Sequence, residues 1–273
     1  MTSKALTSEN IDQMTERVLH SRKYAAMDLP AETVKDLIRQ EITAGKQPKE
    51  VEKSMREKLH QIIAPYLGDP DYPAEEERLA AAAAEGEEAV RDWCLQILSV
   101  HTSSRERLPH MTAFYQAIFD RIGIPKIILD VACAFNPFAF PWMGLPKSTA
   151  YHAYDLHTPR VHLINTFFKV YGMEPLAETR DILLNPPETK ADAAFFFKEA
   201  HRFEARKKGC NRNFWISLPV ETIVVTLPAE NLTGQHQMRD RQRNLIEKNI
   251  EGLNWQLEET EIAGEMIFFI RKG

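Results

Sequence analysis

Asp155 and Asp181 are the residues whose types and positions best suit them to recognise a nucleoside. A carboxylate that ends the second strand of a doubly wound sheet can accept both hydroxyls of a ribose, as in dinucleotide-binding folds. Asp155 follows the apolar run Tyr151–Tyr154 and holds such a place. Asp181, in Glu178-Thr179-Arg180-Asp181-Ile182-Leu183, is a loop acid able to accept from an adenine amino group. Either aspartate alone reads as a helix cap; two acids at successive strand ends point to a ligand. The segment Asp130-Val131-Ala132-Cys133-Ala134-Phe135-Asn136-Pro137 adds small residues that let the backbone come close to that ligand, without the glycines of a nucleotide-binding fingerprint. Upstream, the arginines of HTSSRERLP can clamp a carboxylate through two parallel hydrogen bonds, or pair at the surface with Glu106.

These residues need a scaffold, and the apolar pattern supplies one. Beyond Pro125, short apolar runs alternate with helical or turn segments: Lys126–Val131, Tyr151–Tyr154, Ala191–Phe197, Glu221–Leu227, Trp255–Thr260 and Glu265–Arg271. Continuous apolar strands separated by helices are what a parallel sheet covered on both faces requires. Ile262-Ala263-Gly264 is short enough to join the last two runs as a hairpin. The expected fold is therefore α/β, a doubly wound and mostly parallel sheet ending in an antiparallel hairpin strand. The residues before it read as helices. Ser8 and Asn10 offer caps for a helix through Leu19, Pro30-Ala31-Glu32-Thr33 opens a second, and Pro48 to Tyr66 forms a third with Val51, Met55, Leu59, Ile62 and Ile63 on one side. Gly68-Asp69-Pro70-Asp71-Tyr72-Pro73 is turn chemistry that separates this bundle from an alanine-rich helix at Leu79–Ala84 and an apolar stripe over Ala89–Val100. The expected division is a helical domain over 1–100 and a sheet domain over 101–273.

Composition narrows the class. At 44% hydrophobic and 27% charged residues the chain is an ordinary globular one, with no apolar run long enough to span a bilayer and a polar N-terminus unlike a signal peptide. Cys94, Cys133 and Cys210 stand far apart without a CxxC pair, which argues against a disulfide framework and a structural zinc. A cytoplasmic protein without metal or membrane association is expected. The net charge of −5 means that any attraction for phosphate must come from local patches, such as Lys46 to Lys58 or Lys198 to Arg212.

The segment HTSSRERLPH, the loop DVACAFNPFAFPWMGLP, the strand end at Asp155 and the Asp181-Ile182-Leu183 loop resemble the aminoglycoside-resistance 16S ribosomal RNA methyltransferases, the Arm/Rmt family. SRKYAAMDLPAETVKDLI and MREKLHQIIAPYL are similar to its helical domain, so the resemblance runs from about Ser21 to the C-terminus. It implies a class I methyltransferase fold with an N-terminal RNA-docking extension, S-adenosylmethionine as cofactor, and 16S rRNA of the small (30S) subunit as partner of a monomer. The implied reaction is methylation of guanine N7 in the decoding site, conferring aminoglycoside resistance. The resemblance further implies Arg107 on the methionine carboxylate beside His101, Thr102, Ser103 and Ser104. Ala132 and Ala134 would lie along the cofactor, Asp155 on the ribose, Asp181 and Ile182 on the adenine, and Tyr66 and Phe197 across the pocket. Lys53, Arg56 and Lys58 become candidates for rRNA phosphates.

The departures from the family fall on the substrate side. Where the family reads approximately LLKxLPxLExQxxG, this chain has FFFKEAHRFEARKKG, so Arg206 stands in place of a pocket glutamine. Glu230 replaces a cation in the segment after Leu227-Pro228. The alternative these departures raise is a divergent homologue that binds cofactor or RNA with weak or no activity on that guanine.

Overall fold

The structure, a computed structural model, describes residues 7–64, 68–229 and 237–273. It opens with α1 (Ser8–Leu19), α2 (Ala31–Thr43) and α3 (Pro48–Ile63). Thr7, one residue ahead of the expected cap, holds the first turn of α1, and Asn10 reaches back to the Thr7 backbone. Pro48 starts α3, where its missing N–H costs nothing, and Glu50 closes a second capping box on Gln47. Val51, Met55, Leu59 and Ile63 recur every four residues, so they fall on one face and pack with Met14, Val18, Val34, Leu37 and Ile38. Burial of each such side chain stabilises by roughly 1.5–3 kcal/mol.

The turn expected at residues 68–73 becomes the start of α4 (Tyr72–Glu85), because Asp71 accepts from the Ala74 N–H and Pro73 sits in the first turn. Gly86, at φ 120°, passes the chain directly into α5 (Glu87–Val100). Both helices belong to the sheet. Tyr72, Leu79, Val90, Trp93 and Ile97 share one apolar cluster with Ile128, Phe138 and Phe167, whereas α1–α3 close a core of their own. Among the described residues the two cores thus meet between Ile63 and Tyr72, with α4 and α5 packed on the sheet. The alanines of α4 carry little apolar volume, and a helix of that kind gains burial by lying close against a larger body.

The sheet has seven strands among the described residues: β1 (Ile127–Val131), β2 (Ala150–Asp155), β3 (Ala177–Thr179), β4 (Ala191–Phe197), β5 (Val220–Pro228), β6 (Gln256–Ile262) and β7 (Glu265–Arg271). Their order is β3-β2-β1-β4-β5-β7-β6, parallel except for β7, which runs antiparallel between β5 and β6. Ala263 and Gly264 both have positive φ (48° and 78°), the hand that suits a two-residue hairpin. Along β4, Ala193, Phe195 and Phe197 face one apolar cluster while Ala194 and Phe196 face the other. One layer holds α4, α5, α7 (Met111–Ile122) and α8 (Thr158–Tyr171); the opposite layer holds α9 (Ala200–Arg206), α10 (Cys210–Ser217) and α11 (Gln237–Ile250). Strand order reverses between β1 and β4, and a crevice opens there at the carboxyl ends.

Arg160, on α8 with no solvent exposure, anchors that end of the sheet. It donates to both oxygens of Asp69 at 2.9 and 2.8 Å and to Asp155 at 3.2 Å. Burial disfavours the Asp69 carboxylate, but hydrogen bonds from His101 and His157 and the Arg160 charge hold its pKa well below the usual range. Removing one partner from a buried charge network leaves uncompensated charge. Arg160→Leu is therefore expected to lower unfolding free energy by about 3–5 kcal/mol in urea titrations at pH 7. A depressed carboxylate stabilises above its unfolded pKa of about 4 and loses that contribution as pH falls. In Arg160→Leu, protonation of Asp69 relieves the stranded charge, so the deficit should shrink as pH drops through about 4. An equal deficit at pH 3.5 and pH 7 would contradict this assignment.

Candidate functional site

A cavity of about 640 Å³ occupies the crevice, within the range of roughly 300–1,000 Å³ usual for ligand sites. Its first wall is the loop after β1. Ala132 (φ 55°) and Ala134 (φ 47°) adopt the left-handed conformation that glycine takes without penalty. Forcing it on an L-residue costs roughly 1–2 kcal/mol each. The conformation is held from outside: Ala134 N–H donates to Asp155 at 3.0 Å, and Cys133 N–H to the Tyr154 carbonyl at 2.9 Å. The missing glycine fingerprint is thus replaced by strained alanines, the smallest side chains that could stand there. Beneath the loop, burial pushes the Asp130 carboxyl up to about 7 although Asn136 and Tyr151 donate to it.

The two aspartates are placed together but not equally. Asp155 accepts from the His157 N–H at 3.0 Å, from Ala134 N–H, and from Arg160. A carboxylate offers about four lone-pair sites, so among the described residues one acceptor site remains. Asp181 is fully engaged. Arg206 binds it with two parallel bonds of 3.0 and 2.5 Å, Thr33 of α2 donates at 2.8 Å, and Leu183 N–H at 3.2 Å. Arg206 also lies 3.7 Å from Asp36 of α2. The arginine that replaces a glutamine in the sequence pattern therefore occupies the acid expected to receive adenine.

Arg107 lines the cavity with its partner already chosen. It is bidentate to Glu265 at the start of β7 (2.9 and 2.5 Å), not to Glu106, which Lys198 takes at 2.7 Å. Its guanidinium lies 4.6 and 4.8 Å from the ring centroids of Phe114 and Phe197. Burial works against both charges, yet their mutual attraction raises the Arg107 pKa and lowers that of Glu265. Nη1, which Glu265 does not engage, meets the neutral Asn136 amide oxygen at 3.3 Å and is the part left for a ligand carboxylate.

His101, Thr102, Ser103 and Ser104 line the same cavity from the short helix α6 (Thr102–Arg105) and the residue before it. Ala132, Ala134, Ile182, Phe197 and Arg206 line it as well. Tyr66 and Glu230 lie outside the described residues. The cation trio on α3 separates: Lys53 is exposed, Arg56 pairs with Glu52 at 3.0 Å, and Lys58 borders the cavity while bound to the buried Glu41 at 2.7 Å. Sequence reasoning missed Glu265, Arg160 and Glu199. The available signals were a charge opening the apolar run EMIFFIR and an arginine inside an apolar helix. Among the described residues no group of three His, Cys, Asp or Glu side chains could hold a metal ion.

Comparison with known proteins supplies the frame for this cavity. The model of the family described as "Ribosomal RNA methyltransferase (FmrO)" matches residues 20–270. A 16S rRNA (guanine(1405)-N(7))-methyltransferase of Micromonospora echinospora is 32% identical, with all of both chains covered. One of the same name from Frankia casuarinae is 30% identical over 96% of this chain and 94% of its own. Among solved structures, the 16S rRNA methylase RmtB superposes with a TM-score of 0.76 at 25% identity, covering 98% of this chain and 100% of that one.

The Arg206–Asp181 pair sets an expectation for ligand binding. Glutamine at 206 can still donate one bond but frees the rest of Asp181. Ligand-free Arg206→Gln should lose about 1–2 kcal/mol of stability, about 2–4 °C in melting temperature for a chain of this size. If Asp181 is the acceptor for the adenine amino group, the variant's melting point should rise more than the wild type's with S-adenosylhomocysteine, because the ligand then satisfies the freed acid. Thermal shift measurements check this; a smaller ligand-induced rise in the variant contradicts it.

Proposed function

This chain belongs to the FmrO family of ribosomal RNA methyltransferases, and from that premise we propose that it transfers a methyl group from S-adenosylmethionine to N7 of a guanine in 16S rRNA of the small (30S) ribosomal subunit. The observation that carries the proposal is the cavity itself, which gathers Arg107, Ala132, Ala134, Asp155, Asp181 and Ile182 at the carboxyl ends of β1 and β2. The residues fit the cofactor. The remaining acceptor of Asp155 suits a ribose hydroxyl, Nη1 of Arg107 suits the amino-acid carboxylate, and Ile182 offers an apolar face to adenine. Bound S-adenosylmethionine supplies an electrophilic methyl group; the guanine N7 lone pair forms the new bond, the departing electron pair stays on sulfur, and the base gains a positive charge.

N7 carries no proton, so the reaction asks this chain for alignment and exclusion of water more than for a general base. Asp155 fixes the ribose end and Arg107 the amino-acid end, which together set the direction of the methyl group. α3 borders the cavity through Lys58, Gln61 and Ile62 and so places the helical unit beside the entering base. Exposed Lys53 on that helix and the less committed side of Arg56 are the phosphate contacts we assign to it. A monomer acting in the cytoplasm, without a metal, fits this reading; among the described residues no helix is long and apolar enough to cross a membrane. The closed Asp181–Arg206 pair favours one second reading, a homologue that holds rRNA but turns over slowly because cofactor must first open that pair.

Isolated small subunits incubated with protein and tritiated cofactor should become labelled at a guanine N7, and Asp155→Ala should bind cofactor about 10–100-fold more weakly by calorimetry. Absence of label with tight cofactor binding would leave the slow homologue as the better reading. The Lys53→Glu/Arg56→Glu double variant should bind subunits less tightly and with a shallower salt dependence, since phosphate contacts release counterions, while its cofactor affinity stays unchanged. Unaltered subunit affinity removes this face from the interface.

A further inference from the structure

The cavity has a second half that the cofactor residues leave unassigned. Beyond Phe197, already counted with the cofactor residues, Lys198, Glu199, His201, Arg202 and Pro228 line it over the ends of β4 and β5. Lys198 leaves β4 in the left-handed conformation (φ 60°), a second strained point at the cavity, and Glu199 follows it. Of the acids lining the cavity, three are committed: Glu106 to Lys198, Asp155 to Arg160 and two backbone N–H groups, Asp181 to Arg206 and Thr33. Glu199 is different. Its carboxylate accepts no hydrogen bond among the described residues; it has an ion pair at 3.4 Å with Arg202, a side chain itself 45% exposed, which engages one oxygen. The Glu199 side chain is 24% exposed, so two acceptor oxygens face a confined space with capacity to spare.

We propose that Glu199 reads the Watson–Crick edge of the target guanine, accepting from N1–H and the N2 amino group while N7 on the other side of the base faces the methyl donor. This rests on the methyl-transfer reading above. Guanine is the base that presents two adjacent donors on that edge, and a carboxylate is their complement. Adenine also has an N7 acceptor, but its edge offers N1 as an acceptor, which a carboxylate repels. The contact also strengthens during the reaction. Methylation leaves the base cationic, so a carboxylate across the ring gains attraction as charge develops, which is transition-state rather than ground-state binding. Family membership does not supply this role, since the position falls among the unspecified residues of the family pattern and its neighbours Ala200 and His201 depart from it.

Burial pushes the Glu199 carboxyl up to about 7, with Arg202 favouring the charge, Asp155 opposing it and Arg160 favouring it; Lys198 and His201 also line its surroundings. Two donors require the ionised form. Methylation of subunits should accordingly rise as pH passes upward through about 7.

The test compares wild type, Glu199→Ala and the isosteric Glu199→Gln on small subunits carrying either guanine or inosine, which lacks the N2 amino group, at the methylated position. Wild type is expected to lose about 10-fold or more in kcat/KM on inosine, because a buried carboxylate oxygen is left unpaired. Both variants should be slower on guanine by about 10–100-fold, Glu199→Ala should treat the two bases alike, and the rise through pH 7 should vanish in Glu199→Gln. Calorimetric affinity for S-adenosylhomocysteine should stay unchanged in both, which separates reading of the base from a disturbed fold. Wild-type kcat/KM on guanine in Glu199→Ala, or no discrimination against inosine by wild type, overturns the role of Glu199 alone. No methylation of guanine subunits by wild type overturns the substrate reading and this role together.

Discussion

A guanidinium with no access to water holds the ligand end of this molecule together. Arg160 joins Asp69, which precedes α4, to Asp155, which ends β2, and its Nε also donates to the Tyr72 hydroxyl at 3.2 Å. Buried charges persist only when paired and hydrogen-bonded, so each of these groups fixes the others. The consequence at Asp155 is directional. Arg160 and Ala134 N–H share one carboxylate oxygen, His157 N–H takes the other, and the acid can turn neither into the core nor fully into the cavity. The same bond that orients Asp155 pins the strained alanine loop. The acid we propose for the ribose and a close-approach backbone are thus one construction.

The principle repeats around the cavity. Arg107 is matched to Glu265 and Arg206 to Asp181, each through two bonds. These pairs keep a charged crevice from holding uncompensated charge when empty, and their cost is that a ligand must share or open them. Thr33 and Asp36 extend the Asp181 pair to α2, so the Asp181 end of the cavity and the helical unit are mechanically joined. Glu199, a cavity acid without a hydrogen bond among the described residues, stands over β4, on the side of the cavity that we assign to the base.

Much of this was legible beforehand, for a physical reason. Strands buried on both faces must be apolar throughout, and runs such as ADAAFFF and ETIVVTL announce themselves. β3 escaped because Ala177–Thr179 is an edge strand of three residues with a half-polar pattern. The helical stripe of α3 is readable from its four-residue spacing, but the packing of α4 and α5 on the sheet is not. Whether a helix packs on the sheet or on its neighbours depends on distant surfaces that spacing does not encode. Residue type and place single out Asp155, and the family resemblance singles out Arg107, whereas their partners Arg160 and Glu265 are separated from them by 5 and 158 residues and look like helix and strand surface charges. Asp181 was read as a free acceptor; only the fold brings Arg206 and Thr33 onto it.

The proposed site places the cofactor ribose on Asp155, beside an Asp181 that Arg206 closes. A crystal structure of the protein with S-adenosylhomocysteine tests this most directly. Ribose hydroxyls are expected within hydrogen-bond distance of Asp155, with the Arg160 bond retained, and the adenine amino group on Asp181 with Arg206 swung aside. A product molecule seated elsewhere, or a ribose that does not touch Asp155, would contradict it.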